Sequence, residues 1–125
     1  MTAADALRQA CLLLNYTDHT GGVNAGGNAD LNRRALPLIN QIYADLWQPR
    51  QAGDTFAPLT ATNQALQLEE SVAIGILPYG VAMLLAQTEG DGDNQTVFAR
   101  LYNQKRSGAI RQGDRIGDRL PRPWL

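Results

Sequence analysis

Apolar side chains recur at helical spacing in four stretches of the chain, and loops rich in glycine, proline and polar residues separate them. The predicted helices cover residues 3–14, 31–47, 69–87 and 94–107. Thr2 and Asp5 have the residue types of a capping box at the first helix. Asp30 is the expected N-cap of the second helix, and Gly108 is the expected stop of the fourth. These patterns predict a mostly α fold.

The third pattern contains an apolar run, residues 72–86, whose only polar side chain is the hydroxyl of Tyr79. As a helix the run spans about 22 Å, short of a bilayer core of roughly 30 Å, so we read it as a central helix enclosed by protein. Pro78 cannot donate to the carbonyl of Ile74, which predicts a kink or a second helical segment. Gly80 lets a neighbouring backbone approach closely. Pro78, Tyr79 and Gly80 serve either as a packing kink or as a hinge or oligomer contact.

The second predicted helix carries its charges in an order that opposes the helix dipole. Arg33 and Arg34 come early in it, and Asp45 lies near its end. We expect these side chains to face solvent or a partner. We expect Pro37 to bend the helix or delay its start.

Length and composition match one globular domain: 125 residues, of which 44% are hydrophobic. We predict a small bundle of about four helices around a buried, kinked central helix, with long loops and an extended C-terminal arm. Residues 1–107 form the body and residues 108–125 the arm. The N-terminus lacks the pattern of a secretory signal, so we expect synthesis in the cytoplasm.

Charge is divided unevenly along the chain. Residues 1–93 hold four basic and ten acidic side chains, a net of −6. Residues 94–125 hold seven basic and two acidic side chains, a net of +5. This asymmetry indicates that the basic end meets an acidic surface, on a partner protein or on nucleic acid.

The arm has arginines every three or four residues, and its apolar residues are too sparse and too interrupted by glycine and proline to build a core. It is either a disordered tail or a segment that orders on a partner. In the second case Trp124 is the anchor and the arginines are ion-pairing groups. The predicted contact residues are Arg111, Arg115, Ile116, Arg119, Leu120, Arg122, Trp124 and Leu125.

No residue pattern points to catalysis. Cys11 lies on an apolar helical pattern and is predicted to be buried. The single histidine, His19, lies in the glycine-rich loop 17–29, which lacks the Gly-Lys-Ser/Thr of a phosphate loop and is predicted to be flexible or ordered by a partner. Glu69 and Glu70 suit the positive end of the central helix.

Residues 89–94, Glu-Gly-Asp-Gly-Asp-Asn, invite comparison with a calcium loop. An EF-hand that begins at Asp91 needs glycine at its sixth position and glutamate at its twelfth, where this chain has Thr96 and Tyr102. We therefore predict no metal site but a tight polar turn, with Asp93 or Asn94 capping the next helix.

Five segments share a loose packing pattern: residues 35–46, 66–70, 76–86, 89–91 and 98–102. Among them are Leu-Gln-Leu-Glu-Glu at 66–70, Ile-Leu-Pro-Tyr-Gly-Val-Ala-Met-Leu-Leu-Ala at 76–86 and Phe-Ala-Arg-Leu-Tyr at 98–102. They resemble the small head-to-tail adaptor (connector) proteins of tailed bacteriophages and prophages, and the likeness that they carry extends over most of residues 1–106. The glycine-rich loop has no counterpart in this resemblance.

The resemblance implies a non-enzymatic structural virion protein without a cofactor. Such subunits assemble as a ring, commonly twelve-fold, beneath the portal protein after DNA packaging, and extend the channel toward the tail. The arm would dock on the portal, and a stopper or tail-completion protein would follow. An acidic body suits a wall along which DNA passes without specific binding, because Lys and Arg make phosphate contacts. No membrane contact is implied, and a stopper or tail-completion role for the chain itself stays open.

Two other classes compete with the adaptor. A small DNA-binding regulator would use the basic C-terminal region, although no helix-turn-helix spacing is evident and Asp114 and Asp118 alternate with the arginines. An enzyme would need clustered acids or a nucleophile with a base, which the sequence does not supply.

Overall fold

The computed structural model describes residues 1–15, 28–49 and 51–111, with the backbone alone for residues 28–32. Its helices are α1 (Ala3–Leu14), α2 (Asn28–Leu46), α3 (Glu70–Gly75), α4 (Leu77–Thr88) and α5 (Gly92–Arg111). Because α3 and α4 are the two halves of the kinked central helix, the predicted mostly α bundle of four helices is confirmed. The described residues contain no strand, and one antiparallel bridge pairs Thr2 with Ala65.

Helix α1 begins and ends as its sequence predicts. The backbone N–H of Asp5 donates to Thr2 Oγ1 at 3.2 Å, and the N–H of Thr2 donates to Asp5 Oδ2 at 3.0 Å, which completes the capping box. These hydrogen bonds lower the pKa of the Asp5 carboxyl. At the other end Asn15 adopts the left-handed conformation, with φ of 62°, and closes the helix.

The central helix breaks just before Pro78. Helix α3 ends at Gly75, Ile76 has non-helical φ and ψ of −126° and −49°, and α4 starts at Leu77 with the proline in its first turn. A proline costs no hydrogen bond there, because the first N–H groups of a helix have no partner within it. The prediction of a new segment at Pro78 is confirmed.

Helix α4 forms the centre of the bundle and contacts each of the other four helices. Leu77, Val81 and Leu85 are almost completely buried, and Tyr79 is half-buried. The enclosure is less complete in α3, where the side chain of Ile74 is 52% exposed. Protein therefore surrounds the α4 half of the apolar run.

Side-chain contacts fix the directions of the helices. Ile42 of α2 lies beside Gly80 of α4, and Arg34 pairs with Glu89 at 3.2 Å, so α2 and α4 are antiparallel. Helix α5 turns back along α4 after the short turn at residues 89–91. Helices α2 and α5 are consequently parallel and end at the same end of the bundle.

Helix α2 departs from its predicted start. It begins at Asn28, so Asp30 lies inside it and is not its cap, and Pro37 is an interior residue that does not delay the start. Arg33 and Arg34 are exposed, as predicted. Arg34 forms an exposed ion pair with Glu89, a kind of pair that contributes at most about 1 kcal/mol.

The predicted ends of α5 are wrong at both sides. Asp91, and not Asp93 or Asn94, caps the start: its Oδ1 accepts from the N–H of Asn94 at 3.3 Å. At the far end the helix continues through Gly108 to Arg111, and Ala109 is buried. Burial of Ala109 and packing of the neighbouring Ile110 hold this last turn on the body.

The long connection between α2 and α3 is tied to the bundle by polar contacts. Asn40 accepts from the N–H of Leu59 at 2.7 Å and donates to the carbonyl of Leu59 at 2.9 Å. The hydroxyl of Tyr43 accepts from the N–H of Gln67 at 3.0 Å. These contacts hold the predicted loop against α2.

Candidate functional site

A charged cluster joins α2 to α5. Arg106 donates from Nε to Asp45 Oδ2 at 2.8 Å and from a terminal nitrogen to Oδ1 at 3.2 Å, which is a two-pronged ion pair. The hydroxyl of Tyr102 donates to Asp45 Oδ2 at 2.5 Å. The Arg106 side chain is only 7% exposed and that of Asp45 is 30% exposed. Asp45 therefore has partners within the chain, whereas the sequence indicated solvent or another molecule.

The environment of Tyr102 keeps its hydroxyl protonated. Burial raises the pKa of the Tyr102 hydroxyl well above its ordinary value of 10.0, and the hydrogen bond to Asp45 and its negative charge raise it further. Tyr102 is therefore a neutral hydrogen-bond donor at physiological pH, and not a base or a nucleophile.

Alkaline pH should weaken the fold through Tyr102. Since its pKa is raised in the folded state, its contribution to stability is complete below about pH 10 and is lost as the pH rises toward the folded value. We expect the free energy of unfolding to fall above pH 10 more steeply in the wild type than in Tyr102→Phe, by up to about 1.4 kcal/mol per pH unit. Urea titrations across this range measure the slopes. Equal slopes for Tyr102→Phe and the wild type would contradict the assignment.

One signal in the sequence pointed to this pair. Arg106 lies four residues after Tyr102 and eight after Phe98, on the apolar face of α5. An arginine on a buried face requires a carboxylate partner. The sequence does not say which of its ten acidic residues before position 94 is that partner.

The three residues of the predicted kink, Pro78, Tyr79 and Gly80, occupy different environments. Pro78 and Gly80 are buried, and Tyr79 is half-buried. A Cβ atom on Gly80 would lie 2.8 Å from both Ile42 Cγ2 and Tyr102 Cε1, so side chains, and not a backbone, approach this glycine. The kink is therefore where α2, α4 and α5 meet. Its use as a hinge or oligomer contact stays a prediction.

Tyr79 itself faces α5. Its ring lies 6.1 Å from that of Phe98, and Lys105 Nζ is 4.4 Å from the centre of the Tyr79 ring, within the range of a cation–π contact. Lys105, counted with the basic end of the sequence, is thus held on the body.

A cleft of about 240 Å³, the α2 groove, lies between the C-terminal end of α2 and the connection that follows it. Phe56 packs edge-on against both Tyr43 and Trp47, at centroid distances of 5.1 and 5.7 Å. The groove residues used below are Tyr43, Trp47, Ala57, Pro58, Gln64 and Gln67. No motif in the sequence marked this groove, because its walls come from α2 and from the connection.

The single cysteine and the metal-binding residue types were also located in the described part of the chain. Cys11 is completely buried, as predicted, and burial raises the pKa of its thiol. Across residues 1–15, 28–49 and 51–111, no three side chains of the His, Cys, Asp or Glu type are grouped for a metal ion.

Of the predicted portal-contact residues, Arg111 is the last residue of α5, and its side chain is exposed. The remaining seven lie outside the described residues: Arg115, Ile116, Arg119, Leu120, Arg122, Trp124 and Leu125. Residues 17–27 of the glycine-rich loop, which include His19, also lie outside them, whereas residues 28 and 29 belong to α2.

The α3–α4 segment, Glu70–Thr88, is long and apolar enough to cross a membrane by length and composition, with a mean hydropathy of 1.5. A little over half of that window, 56%, is buried inside the protein. The core helix of a soluble protein has the same properties, so a single such segment is weak support for a membrane span.

Comparison of the chain with protein-family models, with curated proteins and with solved structures finds no match.

Proposed function

We propose that this chain is a structural subunit of a tailed-phage neck, a head-to-tail adaptor that forms a ring under the portal and extends the DNA channel toward the tail. The observation that carries the proposal is the placement of the resembling segments. Residues 35–46 and 98–102 lie in α2 and α5, and residues 76–86 lie in α4 apart from Ile76, which directly precedes it. These three helices meet at Gly80. A resemblance limited to packing patterns gains weight when its segments pack on one another.

The path of α5 supports an arm that contacts the portal. Helices α2 and α5 end at the same end of the bundle, and Arg106 lies level with Asp45, near the end of α2. Five more residues carry α5 about 7.5 Å further, to the exposed Arg111. In this proposal residues 108–111 are the helical base of the arm, and residues 112–125 are the part that reaches the portal.

The structure also narrows which basic residues are available to a partner. Arg106 is neutralised by Asp45, and Lys105 lies over Tyr79. Arg100 and Arg111 remain exposed on α5, and three arginines follow in residues 112–125. The ring, the portal, and a stopper or tail-completion protein as the next neighbour are the proposed partners. The proposed location is the virion neck, after synthesis in the host cytoplasm.

Truncation after Arg111 should separate folding from attachment. Ala109 is buried, so a cut at residue 108 would damage the body, whereas a chain of residues 1–111 keeps every described contact. We expect it to retain the helical circular dichroism of the full chain and to lose binding to DNA-filled heads. Sedimentation of heads with bound protein measures the attachment.

Point variants of the full chain test which side chains are responsible for attachment to heads. Trp124→Ala should reduce attachment at least tenfold if the tryptophan is a central anchor, since such anchors contribute 2 kcal/mol or more. Arg33→Gln removes an exposed charge from the body and should have no effect. Normal attachment by the truncated chain would refute the portal arm. Strong, salt-dependent binding of the full chain to duplex DNA, with no binding to heads, would favour the DNA-binding regulator.

A further inference from the structure

The α2 groove resembles sites that bind extended, proline-containing peptides. Such sites present aromatic faces between which a polyproline-type segment lies. Here Tyr43, Trp47 and Pro58 line the groove, and Phe56 packs edge-on against both aromatic rings. Tyr43 is buried at the base of the groove, and Pro58 is exposed. Trp47 is only half-buried, so part of its surface is open to an occupant.

The chain contains a segment of matching chemistry, Leu-Pro-Arg-Pro-Trp-Leu at residues 120–125. Proline fixes φ near −65°, and a residue before proline is biased toward extended backbone. Both Leu120 and Arg122 precede a proline, so the sequence favours an extended conformation at low entropic cost. Trp124 offers a large, rigid apolar surface for an anchor.

The end of α5 lies at the same end of the bundle as the groove. Tyr43 and Trp47 are each two positions from Asp45, a rotation of about 200° around α2, so the groove lies across that helix from Arg106. One helix diameter is about 10–12 Å. Residues 112–124 can span roughly 40 Å, several times that diameter, so Trp124 can reach the groove of its own chain.

The charges of the groove region and of the C-terminal segment also favour their contact. Residues 43–70 contain four acidic side chains and one basic side chain, a net of −3. Residues 112–125 contain three arginines and two aspartates. Tethering adds to this attraction, because a short flexible link gives an effective concentration on the order of millimolar.

We infer that residues 120–125 dock in the α2 groove of the same chain, with Trp124 against Trp47 and Pro58. This contact does not depend on the proposed function, since it is a property of the isolated subunit. In an adaptor it would hold the anchor on the body until a partner surface displaces it.

The test compares the full chain with full-length Trp124→Ala by two-dimensional ¹⁵N–¹H NMR. Removal of the docked ring should shift the Trp47 indole N–H signal and the backbone amides of Ala57 and Gln64, which line the groove. Signals at the start of α5, which lies beside the Arg34–Glu89 pair at the opposite end of the bundle, should stay in place. Changes confined to the neighbours of residue 124 would overturn the inference.

A second variant changes the groove and not the docking segment. Ala57→Arg places a long cationic side chain in the groove and should move the Trp124 indole signal to its position in a synthetic peptide of residues 112–125. Ala52→Arg adds the same group at an exposed position outside the groove and should leave that signal unchanged. If the Ala57→Arg chain keeps the wild-type Trp124 signal, the groove is not the docking site. Groove shifts that vanish on dilution would show that a second copy supplies the segment, and would overturn docking within one chain.

Discussion

Asp45→Ala should lower the free energy of unfolding by about 3 kcal/mol. The substitution leaves the Arg106 guanidinium, 7% exposed, without its carboxylate and removes the acceptor of the Tyr102 hydroxyl. Breaking one side of a buried ion pair costs about 3–5 kcal/mol, and the lower end applies because the Asp45 side chain is 30% exposed. Urea unfolding monitored by circular dichroism measures the change in midpoint at constant m-value.

Two further variants test whether the loss of stability in Asp45→Ala comes from the unpaired Arg106. Glu89→Ala breaks the exposed pair with Arg34 and should cost no more than about 1 kcal/mol. The double variant Asp45→Ala/Arg106→Met removes both charges and should recover part of the loss, since an apolar replacement of a buried pair is often tolerated. Equal effects of Asp45→Ala and Glu89→Ala would show that the cluster contributes no more than an exposed pair.

Gly80→Val should destabilise the protein by about 3 kcal/mol, the upper end of the usual cost of overpacking a core. Its Cβ alone would approach Ile42 Cγ2 and Tyr102 Cε1 to 2.8 Å, and its two methyl groups need further space. Neither neighbour moves easily. The contact atom of Ile42 is attached directly to its Cβ, and the hydrogen bond to Asp45 holds the Tyr102 ring. Thermal and urea unfolding measure the loss.

Gly75 supplies the matched control for Gly80. It lies in α3 on the other side of the Pro78 break, and apart from its chain neighbours and the backbone of its own helix, no atom lies within 4 Å of a Cβ built there. Gly75→Ala should therefore raise the free energy of unfolding by about 0.5–1 kcal/mol through helix propensity alone. Gly80→Ala should have the opposite sign. A gain in stability at both positions would mean that the three-helix junction at Gly80 is loosely packed.

The junction and the cluster also bear on the proposed function. Asp45, Tyr102 and Gly80 lie where α2, α4 and α5 meet, and α5 continues from there toward Arg111. A loss of stability at this junction would release the base of the arm. Attachment assays on Asp45→Ala should therefore be run well below its unfolding midpoint, so that they report on the arm and not on unfolding.

Local signals in the sequence were sufficient for much of the fold. The capping box of Thr2 and Asp5, the bounds of α1, the burial of Cys11 and the break at Pro78 depend on residues within a few positions of one another. The capping box satisfies backbone N–H groups at the start of α1, and the break at Pro78 follows from its missing backbone donor.

The predicted helix ends failed where tertiary packing overrode local preference. Gly108 ends a helix by local preference, yet burial of Ala109 beside it offsets the cost of an interior glycine. The start of α2 is a separate case: Asp30 has the residue type of a cap, yet the helix begins two residues earlier, which no described contact explains. Intrinsic propensities amount to about 1 kcal/mol or less at such positions, which is less than burial of an apolar side chain contributes.

The sequence by itself determined that this is a helical protein with an apolar central segment broken at Pro78 and a basic, proline-containing end. Only the tertiary structure decided that Asp45 pairs with Arg106, 61 residues away, that Ile42 and Tyr102 enclose Gly80, and that Tyr43 and Trp47 line a groove. The physical reason is the distance along the chain over which each interaction acts. Helix periodicity and capping act within a turn or two, whereas a buried charge or a bare glycine specifies the kind of neighbour it needs and leaves the choice of that neighbour to the packing of the whole chain.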